Sequence, residues 1–222
     1  MNYFITGTDT DCGKTFVTAL LVRAARQAGL DMVGAKPVVC GPRDDVDILA
    51  AAAGGVEMLD ALNPVWFAAP AAPRACEMIG EPAADYQAAL VAMRELSVRH
   101  DCVLCEGAGG WLVPLRAGYT TADFARELGW PVIIVARNKL GVLNHALLTV
   151  ESVRAKGLLP AGLILNNLEG IDGVAMRTNR AILEEVSGVP LLAVIEPGQE
   201  SMQLPEIWLQ GGSCPAKDAG PA

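Results

Sequence analysis

Short apolar segments alternate along the chain with segments of helical periodicity. Strands are predicted at roughly 2–6, 32–38, 101–106, 131–136, 161–166 and 190–195. Helices are predicted between them, at roughly 15–28, 45–53, 85–99, 141–156 and 173–186. This alternation is typical of βαβ units. We therefore expect an α/β fold in which a mostly parallel sheet carries helices on both faces, joined by right-handed crossovers.

Two kinds of hydrophobic pattern support this interpretation. Residues 132–135 and 102–105 are apolar throughout, as expected of strands that are buried on both faces of a parallel sheet. In the segment 85–99, Tyr86, Leu90 and Met93 recur at steps of three or four residues, which places them on one face of a helix.

Two regions depart from the alternation. Residues 63–84 are rich in proline and poor in charge, so we expect a long ordered loop or lid there. Residues 211–222 have no apolar period, so we expect a disordered C-terminal tail. Residues 1–210 contain no internal repeat and no linker, and they are predicted to form one domain.

Composition narrows the class of protein. The chain has 222 residues, of which 52% are hydrophobic and 19% charged, so it can form a substantial core. The net charge of −8 argues against a nucleic-acid-binding surface. The N-terminal residues do not resemble a signal peptide, and no apolar run is long enough to span a membrane. We expect a soluble, cytoplasmic protein with no membrane partner.

The segment that joins the first strand to the first helix has the pattern of a phosphate-binding loop. It is Gly7-Thr8-Asp9-Thr10-Asp11-Cys12-Gly13-Lys14-Thr15. Backbone N–H groups in such a turn bind phosphate oxygens, and the following helix directs its positive end toward them. We expect Lys14 to contact the β- and γ-phosphates and Thr15 to contact Mg²⁺. The first glycine, Gly7, lies one position earlier than in the usual pattern.

Polar residues follow two other predicted strands. Glu106 ends the apolar strand that begins at residue 101, and Asn166 and Asn167 end the strand that begins at residue 161. Ligands bind at the carboxyl ends of strands in open α/β sheets. Glu106 is therefore a candidate metal ligand, and the two asparagines are candidate contacts for a nucleotide base.

Further motifs follow in order along the chain, and together they are more specific than the loop alone. They are Lys36-Pro37-Val38, Glu106-Gly107-Ala108-Gly109-Gly110, Lys139-Leu140-Gly141-Val142-Leu143-Asn144-His145 and Asn166. With the loop, this ordered set closely resembles the dethiobiotin synthetases over roughly residues 2–195. The resemblance implies a P-loop NTPase-like fold.

The resemblance also implies a reaction and its cofactors. The cofactors would be ATP and Mg²⁺, and the substrates 7,8-diaminopelargonic acid and CO₂. One amine captures CO₂ as a carbamate, the carbamate attacks the γ-phosphate, and the second amine closes a cyclic urea and expels phosphate. Such phosphoryl transfer depends mainly on positioning and charge neutralisation.

Roles for individual residues follow from the same resemblance. Lys36 and Lys14 would be the catalytic residues, and Thr15, Asp47 and Glu106 the metal ligands. From the residues alone, Asp44, Asp45 and Asp47 cannot be told apart. The substrate would contact Lys36, Cys40, Gly141 and Asn144. The expected ATP-binding residues are Thr10, Asp11, Cys12, Gly13, Lys14, Thr15, Phe16, Asp47, Glu106, Gly107, Ala108, Gly109, Asn166 and Asn167.

In this family the segment that matches residues 139–145 comes from the neighbouring subunit, where a helix N-terminus and an asparagine bind the substrate carboxylate. The resemblance therefore implies a homodimer with the active site at its interface. Four features depart from the family pattern. Asp11 stands where a glutamate is frequent, and Ala72 and Arg74 stand where a small polar residue and a histidine are common. Cys40 stands where a serine is common, and Ile195-Glu196-Pro197-Gly198 replaces the usual isoleucine–proline step that frames the base, which leaves the nucleotide preference open.

Three alternatives remain open at this point. An amide ligase of the cobyrinate type shares the loop and the strand-end glutamate, but 222 residues leave no room for its usual glutaminase domain. A nucleotide-switched dimeric ATPase typically has a second lysine early in the loop, and residues 8–12 contain none. A nucleotide-binding paralogue without the activity is also compatible with the residue at Cys40.

Overall fold

The computed structural model describes residues 1–168 and 173–209. Its main sheet has six strands in the order β10-β9-β8-β1-β5-β2, and all five pairings are parallel. The strands of the chain are β1 (Tyr3–Gly7), β2 (Met32–Ala35), β3 (Val38–Cys40), β4 (Val65–Phe67), β5 (Cys102–Gly110), β6 (Pro114–Arg116), β7 (Tyr119–Thr120), β8 (Val132–Arg137), β9 (Pro160–Asn166) and β10 (Leu191–Ile195).

Helices follow most strands and pack against the sheet, as the alternation in the sequence predicts. They are α1 (Lys14–Gln27), α2 (Asp44–Ala52), α3 (Leu59–Leu62), α4 (Pro73–Met78), α5 (Tyr86–Arg99), α6 (Thr121–Leu128), α7 (Val142–Ala155), α8 (Val174–Val186) and α9 (Glu206–Leu209). The prediction of an α/β fold with a mostly parallel sheet is confirmed.

The central strands form the core. Phe4 and Ile5 of β1 are completely buried, and so are residues 132–136 of β8. A parallel sheet covered by helices leaves its inner strands no polar face, which explains their continuous apolar sequence. The core therefore fixes β1, β5 and β8 side by side, with their carboxyl ends at one edge.

The predicted strand at 32–38 is interrupted in the structure. β2 ends at Ala35 and the separate strand β3 begins at Val38. Pro37 has no N–H to donate, so it cannot continue the ladder of β2. The Lys36 N–H instead donates to the Leu62 carbonyl (3.0 Å). Lys36 thus lies at a break between two strands.

The expectation of a long loop at 63–84 is wrong. This segment contains β4, which pairs in parallel with β3, and the short helix α4. Pro73 occupies the first position of α4, where its fixed φ suits a helix and its missing N–H costs nothing. Elements this short have too few residues to show a periodicity, so the proline content dominates the prediction.

The helix α6 is absent from the predicted elements, although the sequence carries its boundary signals. Thr120 and Asp123 form a capping box at its N-terminus, and Gly129 adopts a left-handed conformation (φ 72°) at its C-terminus. Its buried residues, which include Phe124 and Leu128, also recur at the spacing of one helix face, so the sequence carries its periodicity as well. The predicted tail, 211–222, lies outside the described residues. None of the described helices has the length and apolar character needed to cross a membrane.

Asp123 gives a testable link between this cap and stability. Its carboxylate accepts hydrogen bonds from the Thr120 backbone N–H (2.9 Å) and from Lys156 Nζ (2.6 Å). Burial raises the pKa of Asp123, but the hydrogen bonds from Lys156 and Thr120 outweigh burial and lower it to about 2. The ionised carboxylate therefore stabilises the fold above the unfolded-state pKa of about 3.9.

We expect Asp123→Ala to lower the free energy of unfolding by about 1 kcal/mol at neutral pH. The difference from the unchanged protein should shrink as the pH falls from about 4 toward about 2, because both chains then lack the charge. Urea unfolding across this pH range measures it. A difference that stays constant down to a pH of about 2 would show that the carboxylate charge contributes nothing.

Candidate active site

A cleft of about 840 Å³ lies at the carboxyl ends of β1, β2, β3 and β5. One wall is the loop between β1 and α1, and the opposite wall is the segment 70–73 that leads into α4. The predicted site residues that line it are Thr10, Asp11, Gly13, Lys14, Thr15, Phe16, Lys36, Cys40, Glu106, Ala108 and Gly109. Residues distant in the sequence thus meet in one place.

The loop between β1 and α1 depends on unusual backbone conformations. Gly13 has φ 87° and immediately precedes α1, and Asp11 has φ 55°, a left-handed value that aspartate tolerates better than most residues. A Cβ on Gly13 would lie 2.1 Å from the side-chain nitrogen of Asn166. That amide donates to the Cys12 carbonyl (3.1 Å). Asn166 and Cys12 are both buried, so this hydrogen bond anchors the loop to the carboxyl end of β9.

The first residues of α1 turn their polar groups toward the loop and the sheet. Lys14 is only 6% exposed, and its Nζ donates to the Asp9 carbonyl (3.3 Å). The Thr15 hydroxyl donates to Glu106 Oε1 (2.8 Å). A glycine-rich turn, a lysine folded over it and a hydroxyl beside a carboxylate together form an anion site with cation ligands next to it.

Glu106 is the most deeply buried charged group of the cleft, with no exposed surface. Lys36 Nζ lies 2.9 Å from its Oε1 and also forms an ion pair with Asp45. Burial lowers the pKa of Lys36, but the carboxylates of Glu106 and Asp45 outweigh burial and hold it above the ordinary value of a lysine. The Lys36 ammonium therefore stays charged at neutral pH.

Asp45, and not Asp47, faces this ion pair. Asp45 lines the cleft, whereas Asp47 is exposed and does not. Residues two apart on a helix are rotated by about 200° around its axis and so point to nearly opposite sides. Asp45 and Asp47 therefore cannot both face Lys36. The structure therefore does not bring Asp47, the expected metal ligand, to Glu106. A run of three similar aspartates gives no signal that separates them before the helix is positioned.

The residues around Glu106 fit a magnesium ion. The second oxygen of its carboxylate, Oε2, is buried and has no hydrogen-bond partner among the described residues. Thr15 and Asp45 add a hydroxyl and a second carboxylate, and oxygen ligands of this kind suit Mg²⁺. Within 1–168 and 173–209, no three His, Cys, Asp or Glu side chains form a metal-binding group. The remaining ligands would come from phosphates and water.

Cys40 lies at the end of β3 and lines the cleft. Burial, together with the neighbouring Cys76 and Glu81, raises the pKa of its thiol to about 12. The thiol is therefore protonated at neutral pH and acts as a neutral wall of the cleft, not as a nucleophile.

The other predicted residues fall in different places. Gly107 does not line the cleft; a Cβ there would come within 2.8 Å of the Thr121 side chain, so it serves the packing of β5. Asn167 lines a second cavity, of about 240 Å³, beyond the end of β8. Gly141 and Asn144 are exposed at the start of α7 and line neither cavity. Their role in binding substrate stays a prediction.

A phosphate-type loop between the first strand and helix, with a buried carboxylate of β5 beside it, defines a P-loop nucleotide-binding protein. The fold agrees. The structure matches a septum site-determining protein MinD complexed with Mg-ADP from Pyrococcus horikoshii, with a TM-score of 0.55 and 22% identity, over 88% of this chain and 82% of that one. It also matches a signal recognition particle receptor FtsY from Elizabethkingia anophelis, with a TM-score of 0.54 and 15% identity, over 91% and 60%.

Sequence comparisons identify the family. A family model described as an AAA domain matches residues 1–204. An ATP-dependent dethiobiotin synthetase from Akkermansia muciniphila is 39% identical over 91% of this chain and 95% of its own length. One from Anaeromyxobacter dehalogenans is 45% identical over 86% and 88%. The chain belongs to the ATP-dependent dethiobiotin synthetase family, which is a family of ligases, and the resemblance inferred from the motifs is confirmed.

Two glycines with nearly the same backbone provide a test of the loop. Gly13 (φ 87°) faces Asn166, whereas Gly29 (φ 85°) follows α1, and a Cβ added there would meet nothing within 4 Å. We expect Gly29→Ala to cost about 1 kcal/mol of stability through backbone strain, without changing nucleotide affinity. We expect Gly13→Ala to weaken ADP binding at least tenfold in calorimetric titration, because the loop must move away from Asn166. Equal ADP affinities in the two variants would contradict this account.

Proposed function

We propose that this protein catalyses the ATP- and Mg²⁺-dependent carboxylation and ring closure of 7,8-diaminopelargonic acid with CO₂. The products are dethiobiotin, ADP and phosphate. The observation that carries the proposal is the contact of one buried carboxylate, Glu106, with both Thr15 of the phosphate loop and Lys36, which follows β2. Family membership supplies the substrate. A reaction that consumes ATP and a small diamine suits the cytoplasm, where we place the protein.

The phosphate loop and Lys14 hold the triphosphate. Backbone N–H groups of residues 11–13 and the N-terminus of α1 surround its oxygens, and the Lys14 ammonium moves from the Asp9 carbonyl to the β- and γ-phosphates. Asn166 supports the loop through Cys12, and Asn167 lies beside the cavity that suits the base. Asn167 is therefore the better candidate for a base contact.

Thr15, Asp45 and Glu106 are the proposed metal ligands. Held there, Mg²⁺ would supply positive charge beside the transferred phosphate. The unpartnered Glu106 Oε2 supports this assignment, since a buried carboxylate oxygen without a hydrogen bond is costly.

Lys36 acts on the substrate side. One amine of the diamine bonds to the carbon of CO₂ and loses a proton, which gives a carbamate that the Lys36 ammonium stabilises. A carbamate oxygen bonds to the γ-phosphorus as the bond to ADP breaks. The second amine then bonds to the carbamate carbon, the bond from that carbon to the phosphate oxygen breaks, and phosphate leaves. The position of Lys36 beside Thr15 and Glu106 suits all three stages.

The substrate carboxylate is proposed to bind Gly141 and Asn144 of a second copy. The start of α7 lies away from the cleft of its own chain, and the nearby Leu140 and Leu148 are 86% and 62% exposed. Exposed leucines beside a helix N-terminus suit a subunit interface. A homodimer would cover them and bring the anion site to the neighbouring cleft.

The proposed reaction is tested by incubating the protein with ATP, Mg²⁺, ¹³C-bicarbonate and 7,8-diaminopelargonic acid. We expect ¹³C-labelled dethiobiotin in mass spectra, formed in step with ADP. ADP without labelled product would overturn the substrate assignment, and no ADP would overturn the reaction class. Lys36→Met serves as the control, because it should keep ADP affinity while product formation falls by about 100-fold or more.

Two of the three aspartates of α2 provide a matched test of the metal ligands. We expect Asp45→Asn to weaken Mg²⁺ binding to the ADP complex about tenfold or more. Asp47→Asn makes the same charge change on the exposed side of the helix and should change Mg²⁺ affinity by less than about twofold, because exposed charges are screened. Calorimetric Mg²⁺ titration of both ADP complexes measures it. The reverse order of effects would restore Asp47 as the ligand.

A further inference from the structure

A chain of hydrogen-bonded side chains lies at the carboxyl ends of β8, β9 and β10. Asn179 Nδ2 donates to Asn138 Oδ1 (2.8 Å), and Asn138 Nδ2 donates to Asn167 Oδ1 (2.8 Å). Asn167 Nδ2 donates in turn to Glu196 Oε2 (3.0 Å). We call these four side chains the amide relay. The proposed reaction assigns no role to three of them.

The hydrogen bonds of the amide relay can run in only one direction, with each side chain donating to the next from Asn179 to Glu196. The Glu196 carboxylate accepts hydrogen bonds and cannot donate while ionised, so the nitrogen of Asn167 must face it. Asn138 Nδ2 also donates to the Met176 carbonyl (3.0 Å), which likewise only accepts. The oxygen of Asn167 must therefore face Asn138. Both sides of the Asn167 amide are fixed, and its two ends cannot exchange.

Among the residues that the structure describes, one donor and one acceptor of Asn167 have no other partner. An amide nitrogen carries two N–H groups and an amide oxygen two lone pairs, and the relay uses one of each. Asn167 lines the cavity of about 240 Å³ together with residues 137–140. This cavity adjoins the phosphate loop, because Leu168 would lie 3.4 Å from a Cβ on Gly13. A base attached to phosphates in the loop can reach it.

We propose that Glu196 is a positioning residue that fixes the Asn167 amide to select 6-aminopurine nucleotides against 6-oxopurine nucleotides. This inference rests on the proposed nucleotide site. Adenine presents an amino donor at C6 beside the N1 acceptor. Hypoxanthine presents an oxygen acceptor at C6 beside an N1–H donor, which is the reverse order. An amide of fixed direction can therefore form two hydrogen bonds with adenine. With hypoxanthine, the same amide would place acceptor against acceptor and donor against donor.

The test compares the affinities of ADP and IDP, which differ only in these two positions. Each is titrated calorimetrically with Mg²⁺ against the unchanged protein and its variants. We expect ADP to bind about tenfold more tightly than IDP, or more. Because phosphates, ribose and metal are shared, the ratio of the two affinities isolates the base contact.

Two substitutions of Glu196 separate the hydrogen bond from the charge. Glu196→Gln removes the charge but keeps an oxygen that can accept from Asn167, so the ADP/IDP ratio should stay within about twofold of its original value. Glu196→Lys offers only donors and therefore competes with Asn138 for the Asn167 oxygen, so the direction of the amide is no longer fixed and the ratio should fall to about threefold or less. Glu200→Lys, a matched charge reversal at an exposed carboxylate four residues away, should leave the ratio unchanged.

Each outcome separates this inference from the proposed function. A normal ratio in Glu196→Lys, or an original ratio near one, would overturn the role of the relay while leaving the nucleotide site intact. Equal loss of the ratio in Glu196→Gln and Glu196→Lys would show that charge, and not the direction of the amide, sets the preference. Failure of both ADP and IDP to bind would instead overturn the proposed function.

Discussion

The architecture of the cleft depends on the burial of one carboxylate, that of Glu106. A carboxylate without exposed surface is strongly destabilising unless cations and hydrogen bonds compensate it. Thr15 and Lys36 provide this compensation from two different segments of the chain. Because β5 lies between β1 and β2 in the sheet, the segment that follows β1 and the residue that follows β2 can both bring a side chain to Glu106. The strand order therefore makes possible the contacts that compensate the buried Glu106 carboxylate.

The same constraint explains local features that would otherwise look irregular. Pro37 ends the second strand and leaves Lys36 at a break in the ladder, where its side chain can reach both Glu106 and Asp45. Gly13 allows α1 to begin close to Asn166, which places Thr15 at the carboxyl end of β5. Burying this charged cluster lowers the stability of the fold, and the buried apolar side chains of β1, β5 and β8 compensate for it.

Much of this arrangement is predictable from the sequence. The phosphate loop, Glu106 and Lys36 occur at strand ends in an order that indicates both fold and family. Asp45 cannot be separated from Asp47 in this way, because the choice depends on the rotation of α2 about its axis. β4 and α4 stay hidden, because short elements show no period. The direction of the Asn167 amide depends on Asn138 and Glu196, each 29 residues away in the sequence, and no local pattern encodes it.

The central claim is that the cleft brings a carbamate oxygen from the Lys36 side to the γ-phosphate held over Lys14. Transfer of ¹⁸O tests this claim most directly. In a single turnover started with freshly diluted ¹⁸O-bicarbonate, the account predicts one ¹⁸O atom in the released phosphate, because the bond from the carbamate carbon to that oxygen breaks during ring closure. Unlabelled phosphate formed together with dethiobiotin would contradict it, since the γ-phosphate would then have been transferred to water or to another acceptor.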